Sequence, residues 1–272
     1  MPVHVFGEQS KLFAVLATHL VEAATTALRV HGRFWLALSG GSTPALFYRF
    51  LANHLVTKRT DVTHWYFFLV DERVVPDGHA DSNYSMIKHH LFDLVAIPPE
   101  NLFPMVSVDA SATAPGVALS PLGLLPPASL LPSAEQCAQN YTEILHRWIK
   151  HKPMGVPQFD YLLLGLGADG HTASLFPGAT APNTQQSAVI PVSRGPDKPA
   201  RVSLSASVLR AARQRVFLVT GSAKANIVHK ILTLPLESVN LPAFQITQGL
   251  LSDWFLDTDS AALLSANEYT RY

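Results

Sequence analysis

The chain has 272 residues, 48% of them apolar and only 15% charged, against about 25% charged in an ordinary globular domain. That is too apolar for intrinsic disorder, and 20 basic side chains balanced by 20 acidic ones leave no net charge to hold a phosphate backbone or an anionic bilayer, so neither nucleic acid nor membrane is expected as a partner. The lone cysteine, Cys137, excludes an internal disulfide and a thiolate zinc cage and fits a reducing, cytoplasmic setting.

Lys11 and His19 interrupt the apolar N-terminal stretch, so no secretory signal is expected. Leu12, Leu16, Leu20, Ala24 and Leu28 recur every four residues, which predicts an amphipathic helix over 10–30. A continuous apolar run follows at 34–38 and stops at Ser39-Gly40-Gly41-Ser42-Thr43-Pro44, after which Leu46, Phe47, Phe50, Leu51 and Leu55 return to helical spacing. This reads as strand, tight turn and helix, with Thr43 as the expected N-cap and Pro44 in the first helical position. The pattern repeats: a strand over 65–70, a polar loop over 71–83, and a helix over 84–94. Residues 105–132 are rich in Pro, Ala, Ser and Leu with Asp109 as their single charge, and read as a long loop on the surface or against a partner. Five prolines between residues 110 and 134 exclude a membrane helix there.

Ser133 and Gln136 have capping-box spacing and open a helix to residue 150; a strand over 159–164 then runs into a glycine-rich stretch at 165–178. Last come a strand over 216–219, a turn at 221–224 and a helix over 225–232. Non-alternating apolar strands separated by amphipathic helices imply a single α/β domain over 1–272, a Rossmann-like open, mostly parallel sheet with helices on both faces.

Ligands of such sheets bind beyond the carboxyl ends of the strands, so the residues after each strand should face one site. Gly40, Gly41, Ser42 and Thr43 combine adjacent glycines, hydroxyls and the free amides of a helix start, a set suited to a phosphate monoester or, more plainly, to a cap. Asp71, Glu72 and Arg73 follow an uncharged strand; Arg73 has the planar fork for an oxyanion, and the alternative is a solvated charged turn. Lys224 stands at a helix start, where a cation is unfavourable unless it meets an anion or points into water. Gly165, Gly167 and Gly170 spell a dinucleotide-type G-x-G-x-x-G, but Phe176-Pro177-Gly178 ends any helix at once and no acidic residue stands between Gly170 and Asp197 to hold a ribose. What remains is Asp169 and His171 two residues apart in a glycine-rich loop, an acid and base pair or a structural one. His89, His90, His146 and His151 lack zinc-type spacing, so no metal is expected.

The motifs L-S-G-G-S-T-P at 38–44, D-E-R-V-V-P at 71–76 with D-S-N-Y at 81–84, G-L-G-A-D-G-H-T-A-S-L-F-P at 165–177 and T-G-S-A-K at 220–224 together resemble the 6-phosphogluconolactonases, over almost the whole chain and in matching order. The resemblance implies a fold shared with glucosamine-6-phosphate deaminases and hydrolysis of a small-molecule phosphosugar lactone, 6-phosphoglucono-δ-lactone, in the pentose phosphate pathway without a cofactor. It implies His171 as general base with Asp169 beside it, and Arg73, Asp71, Lys224 and the 40–43 loop as contacts to substrate and phosphate. The expected assembly is a monomer or weak homo-oligomer. The alternatives are a deaminase-type aldose-ketose isomerase and a silent sugar-phosphate sensor. Against the first, Phe176 stands where the deaminase loop, as that family is known, carries a carboxylate, and Arg73 replaces an aromatic residue. Against silence, Asp169 and His171 are intact.

Overall fold

The computed structural model describes residues 1–107, 131–178, 187–234 and 240–272. Most of the loop expected at about 105–132 lies outside them. The elements run β1 Val3–Phe6, α1 Gln9–His31, β2 Phe34–Leu38, α2 Ser42–Thr57, β3 Trp65–Leu69, β4 Asp71–Arg73, α3 Asn83–His90, α4 Ala134–Trp148, β5 Tyr161–Leu164, β6 Val189–Val192, β7 Arg201–Leu204, α5 Ala206–Ala211, β8 Gln214–Val219, α6 Ala225–Thr233, α7 Pro242–Thr247, β9 Asp253–Asp257 and β10 Thr270–Arg271. Seven strands form a parallel sheet in the order β10-β1-β9-β8-β5-β2-β3, with helices over both faces, as the apolar strand pattern implied.

Strands β2, β3 and β5 are buried at every position because both faces of the sheet are covered, which removes the need for alternation. Aromatic side chains fill the layers: Phe68 stacks on Phe103 at 4.3 Å and Phe217 on Trp254 at 4.2 Å. Each such ring, fully buried, contributes about 1.5–3 kcal/mol from area alone. Helix α1 is long and apolar enough to cross a membrane, but Leu12, Phe13, Leu16, Ala17, Leu20 and Ala24 form a face buried in the shared core. At α4 the capping box forms as the spacing predicts, with Ser133 N–H donating to Gln136 Oε1 at 2.7 Å and Gln136 N–H to Ser133 Oγ at 3.2 Å.

Four expectations fail. Helix α2 begins at Ser42 with Gly41 as N-cap, so Pro44 is its third residue and not its first, and Thr43, inside the helix, turns its hydroxyl to Thr220 Oγ1 at 2.8 Å and caps nothing. The loop expected over 71–83 begins with a strand, β4, and the helix expected to reach residue 94 ends at His90. Strand β4 pairs antiparallel with β7, which pairs with β6, in a three-stranded sheet absent from the sequence reading. Strands that short carry too few residues to show a period, and β4 lies about 130 residues from its partner β7.

The order of strands places the site. From β2 the chain moves outward to β3, then returns to the other side of β2 as β5 and proceeds through β8 to β9. Beyond the carboxyl ends of β2 and β5 the connections diverge, opening the crevice that doubly wound sheets offer to ligands. The small sheet hangs over the same edge, joined where Leu204 N–H donates to Val70 O at 2.9 Å and Val70 N–H to Leu38 O at 2.9 Å.

Candidate active site

The crevice is a cleft of about 240 Å³. Its walls come from the turn after β2, from β4 and β7, from the loop after β5 and from the turn after β8. Gly40, Gly41, Ser42, Thr43, Asp71, Arg73, His171 and Lys224 all line it. Asp169 stands behind His171 and is not on the wall.

The turn after β2 depends on its two glycines. A side chain at Gly40 would put Cβ 1.8 Å from Asn83 Oδ1, and Gly41 has φ +120°, a backbone shape that side chains oppose. Buried Tyr48 donates its hydroxyl to Ser39 O at 2.6 Å and ties the turn to the core. The first-turn amides of α2, which no helix can satisfy internally, are left at the cleft.

The Asp71-Glu72-Arg73 segment is not a solvated turn: Asp71 and Glu72 are both buried. Glu72 accepts from the amides of Arg73 (2.7 Å), Asn83 (2.8 Å) and Tyr84 (2.7 Å) and from Ser82 Oγ (3.1 Å), fixing the start of α3 to β4. Burial pushes its carboxyl up to about 7, while those amides pull the other way. Asp71 accepts from Ser174 Oγ at 2.6 Å and from Asn83 Nδ2 at 3.3 Å, and its Oδ2 lies 3.9 Å from an Arg201 guanidinium nitrogen. Arg73 donates to Asp81 O at 2.6 Å and keeps a buried Nε without a partner.

Arg201 is a cleft residue that sequence reasoning missed. It lies directly across the strand pair from Arg73, a juxtaposition of like charges that is unfavourable unless an anion joins them. Burial first, and then Arg73, push its ionisation equilibrium down, with Asp71 opposing. The available signal was weak: Arg201 and Ser203 alternate with buried Val202 and Leu204 in a four-residue strand. Asn83, Thr220 and Ser174 had no role assigned either. The first two line the cleft, and Ser174 holds Asp71.

The loop after β5 builds the pair expected there. His171 O accepts from Gly167 N–H at 2.8 Å and Gly167 O from Gly170 N–H at 3.0 Å, which closes the loop on itself. A side chain at Gly167 would place Cβ 2.0 Å from the imidazole and 2.5 Å from Asp169 Oδ1. His171 Nδ1 bonds Asp169 Oδ1, which also accepts the His171 amide at 3.2 Å. Burial opposes ionisation of Asp169, but the two bonds from His171 outweigh it and hold the carboxyl below its usual range. With Nδ1 engaged by an ionised carboxylate, Nε2 is the nitrogen left to accept a proton.

Lys224 ends the turn after β8, which is fixed by Gly221 N–H donating to Asp257 at 2.9 Å. Among the described residues it makes no ion pair, and burial lowers its pKa while Asp169 raises it. The charged side chains on the wall are thus Arg73, Arg201 and Lys224 against Asp71, a cationic lining in a chain of no net charge. It suits an anionic ligand, and His171 offers it a base. Among the described residues no three His, Cys, Asp or Glu side chains converge as a metal site requires.

Residues 7–253 match the family model described as glucosamine-6-phosphate isomerases/6-phosphogluconolactonase. The chain is 34% identical to a 6-phosphogluconolactonase of Rattus norvegicus over 266 residues, covering 97% of this chain and 93% of that one. The solved structure of 6-phosphogluconolactonase from Trypanosoma brucei matches with a TM-score of 0.74 at 30% identity, covering 97% and 99% of the two chains. A monomeric glucosamine-6-phosphate deaminase matches with a TM-score of 0.72 at 17% identity, a likeness of fold.

Proposed function

The chain belongs to the glucosamine-6-phosphate isomerase/6-phosphogluconolactonase family, and from that membership we propose that it hydrolyses 6-phosphoglucono-δ-lactone to 6-phosphogluconate, the lactone-opening step of the pentose phosphate pathway. The observation that carries the reading is the Asp169-backed imidazole of His171 on the wall of a cationic cleft. The phosphate is held by the first-turn amides at Ser42 and Thr43 with Lys224 and Arg201, which sets two of the wall's three cations against an anion. His171 Nε2 takes a proton from water as the water oxygen adds to the lactone carbonyl carbon, and the carbonyl electron pair moves to its oxygen, where Arg73 stabilises the charge. Collapse re-forms the carbonyl and breaks the bond to the ring oxygen, which leaves with the proton from His171. The new carboxylic acid then ionises. Asp71 is the fixed counter-charge that keeps Arg201 in place.

An aldose-ketose conversion needs an additional acid at the ring oxygen and a base for the C2 proton. Phe176, beside His171, supplies neither. The test is turnover of freshly made phosphogluconolactone with the spontaneous rate subtracted at each pH. The expected outcome is a rate above background that a chelator leaves intact, with no fructose 6-phosphate or ammonia from glucosamine 6-phosphate. Loss of the rate with chelator and its return with zinc overturns the cofactor-free mechanism, and steady formation of both deamination products overturns the lactonase reading.

A further inference from the structure

Asp169 holds His171 on one flank through Nδ1, which leaves the other flank of the ring to be held by packing. The turn at 172–175 supplies that flank. Leu175 N–H donates to Thr172 O at 3.0 Å, Ala173 sits at φ +52°, and the chain doubles back to lay Phe176 on the imidazole with centroids 4.6 Å apart. Phe176 in turn carries the Arg194 guanidinium 3.9 Å above its centre, with Arg201 more distant at 5.7 Å. Neither Phe176 nor Arg194 lines the cleft; Phe176 belongs to the wall of the adjoining apolar cavity, with Leu175 and Val192. Arg194 is exposed and makes no ion pair among the described residues, and its guanidinium rests on the ring face.

We infer that Arg194 and Phe176 form a positioning stack for His171: the guanidinium pins the ring, the ring blocks rotation of the imidazole away from the cleft, and the general base stays aimed. This rests on the reading of His171 as the base. A cation over an aromatic face is worth a modest factor at an exposed site, and the alignment of a catalytic group is sensitive to small displacements.

The experiment compares kcat and KM of the wild type with those of Arg194→Ala, Arg194→Lys, Phe176→Leu, His171→Asn and the doubles of Arg194→Ala with each of the last two. Arg194→Ala is expected to lower kcat about two- to fivefold with KM unchanged. Arg194→Lys, which keeps a cation on the ring, recovers most of the loss. In the Phe176→Leu and His171→Asn backgrounds Arg194→Ala has no further effect, because the connection is already cut. A raised KM at unchanged kcat, or the same loss in the Phe176→Leu background, overturns the inference by showing that Arg194 acts on the substrate directly. Wild-type kcat in Arg194→Ala beside a crippled His171→Asn defeats the positioning stack alone, whereas wild-type kcat in His171→Asn defeats the base assignment and the stack with it.

Discussion

Gly167 shows how one residue governs the site: the space its missing side chain leaves is where the imidazole of His171 and the carboxylate of Asp169 meet. Substituting His171 by Asn keeps approximate size and the loop, and removes Nε2, the proposed proton acceptor. The expected loss in kcat is about 10²- to 10⁴-fold, the usual span for general-base assistance. A folded variant retaining more than about a tenth of the wild-type kcat lies outside that span and returns the histidine to a structural role. At this scale the sequence singled out His171, Lys224 and Arg73 by residue type, and all three line the cleft. It was silent about Arg201, which reaches the same cleft from opposite Arg73 on another strand.

Between residues and the whole lies the junction of β4 with α3, where one carboxylate organises an element boundary. Glu72 has four donors pointing at it, three of them backbone amides. Glu72→Gln leaves the size unchanged but presents an NH₂ group to at least one of those donors, stranding it in a buried setting. The expected cost is about 1–3 kcal/mol in denaturant or thermal unfolding. Because Asn83 and Arg73 flank the junction, kcat/KM is expected to fall with it. Unchanged stability would mean that solvent or a rearranged helix end satisfies the donors. From sequence the same segment looked like a polar loop, since acidic residues after a strand usually face water. Burial of Glu72 follows from the small sheet, whose partners β6 and β7 lie more than 100 residues downstream.

At the scale of the molecule the cleft is closed by both halves of the sheet, with the 39–44 turn on one side of the crossover and the Lys224 turn on the other, bridged by the Thr43–Thr220 hydroxyl pair. A ligand spanning the two stabilises the fold by mass action, by about 2.7 kcal/mol at a hundred times its dissociation constant. For a chain of this size that is a rise in Tm of several degrees. 6-Phosphogluconate is expected to raise the wild-type Tm in this way and that of Lys224→Ala markedly less, with KM for the lactone raised in the variant. An equal shift in both would show that Lys224 faces solvent. Sequence by itself determined a parallel α/β sheet from four of its strands, β2, β3, β5 and β8, the capped start of α4 and the four segments that meet at the cleft, because each rests on local periodicity, capping spacing or residue type; strands β1, β9 and β10 escaped it. Tertiary structure alone decided that Glu72 is buried, that Thr43 bonds Thr220 and caps nothing, that Arg201 joins Arg73 and that Phe176 backs His171. Those pairings span from 5 to 177 residues of chain, carry no period, and arise only when packing closes the sheet edge over the cleft.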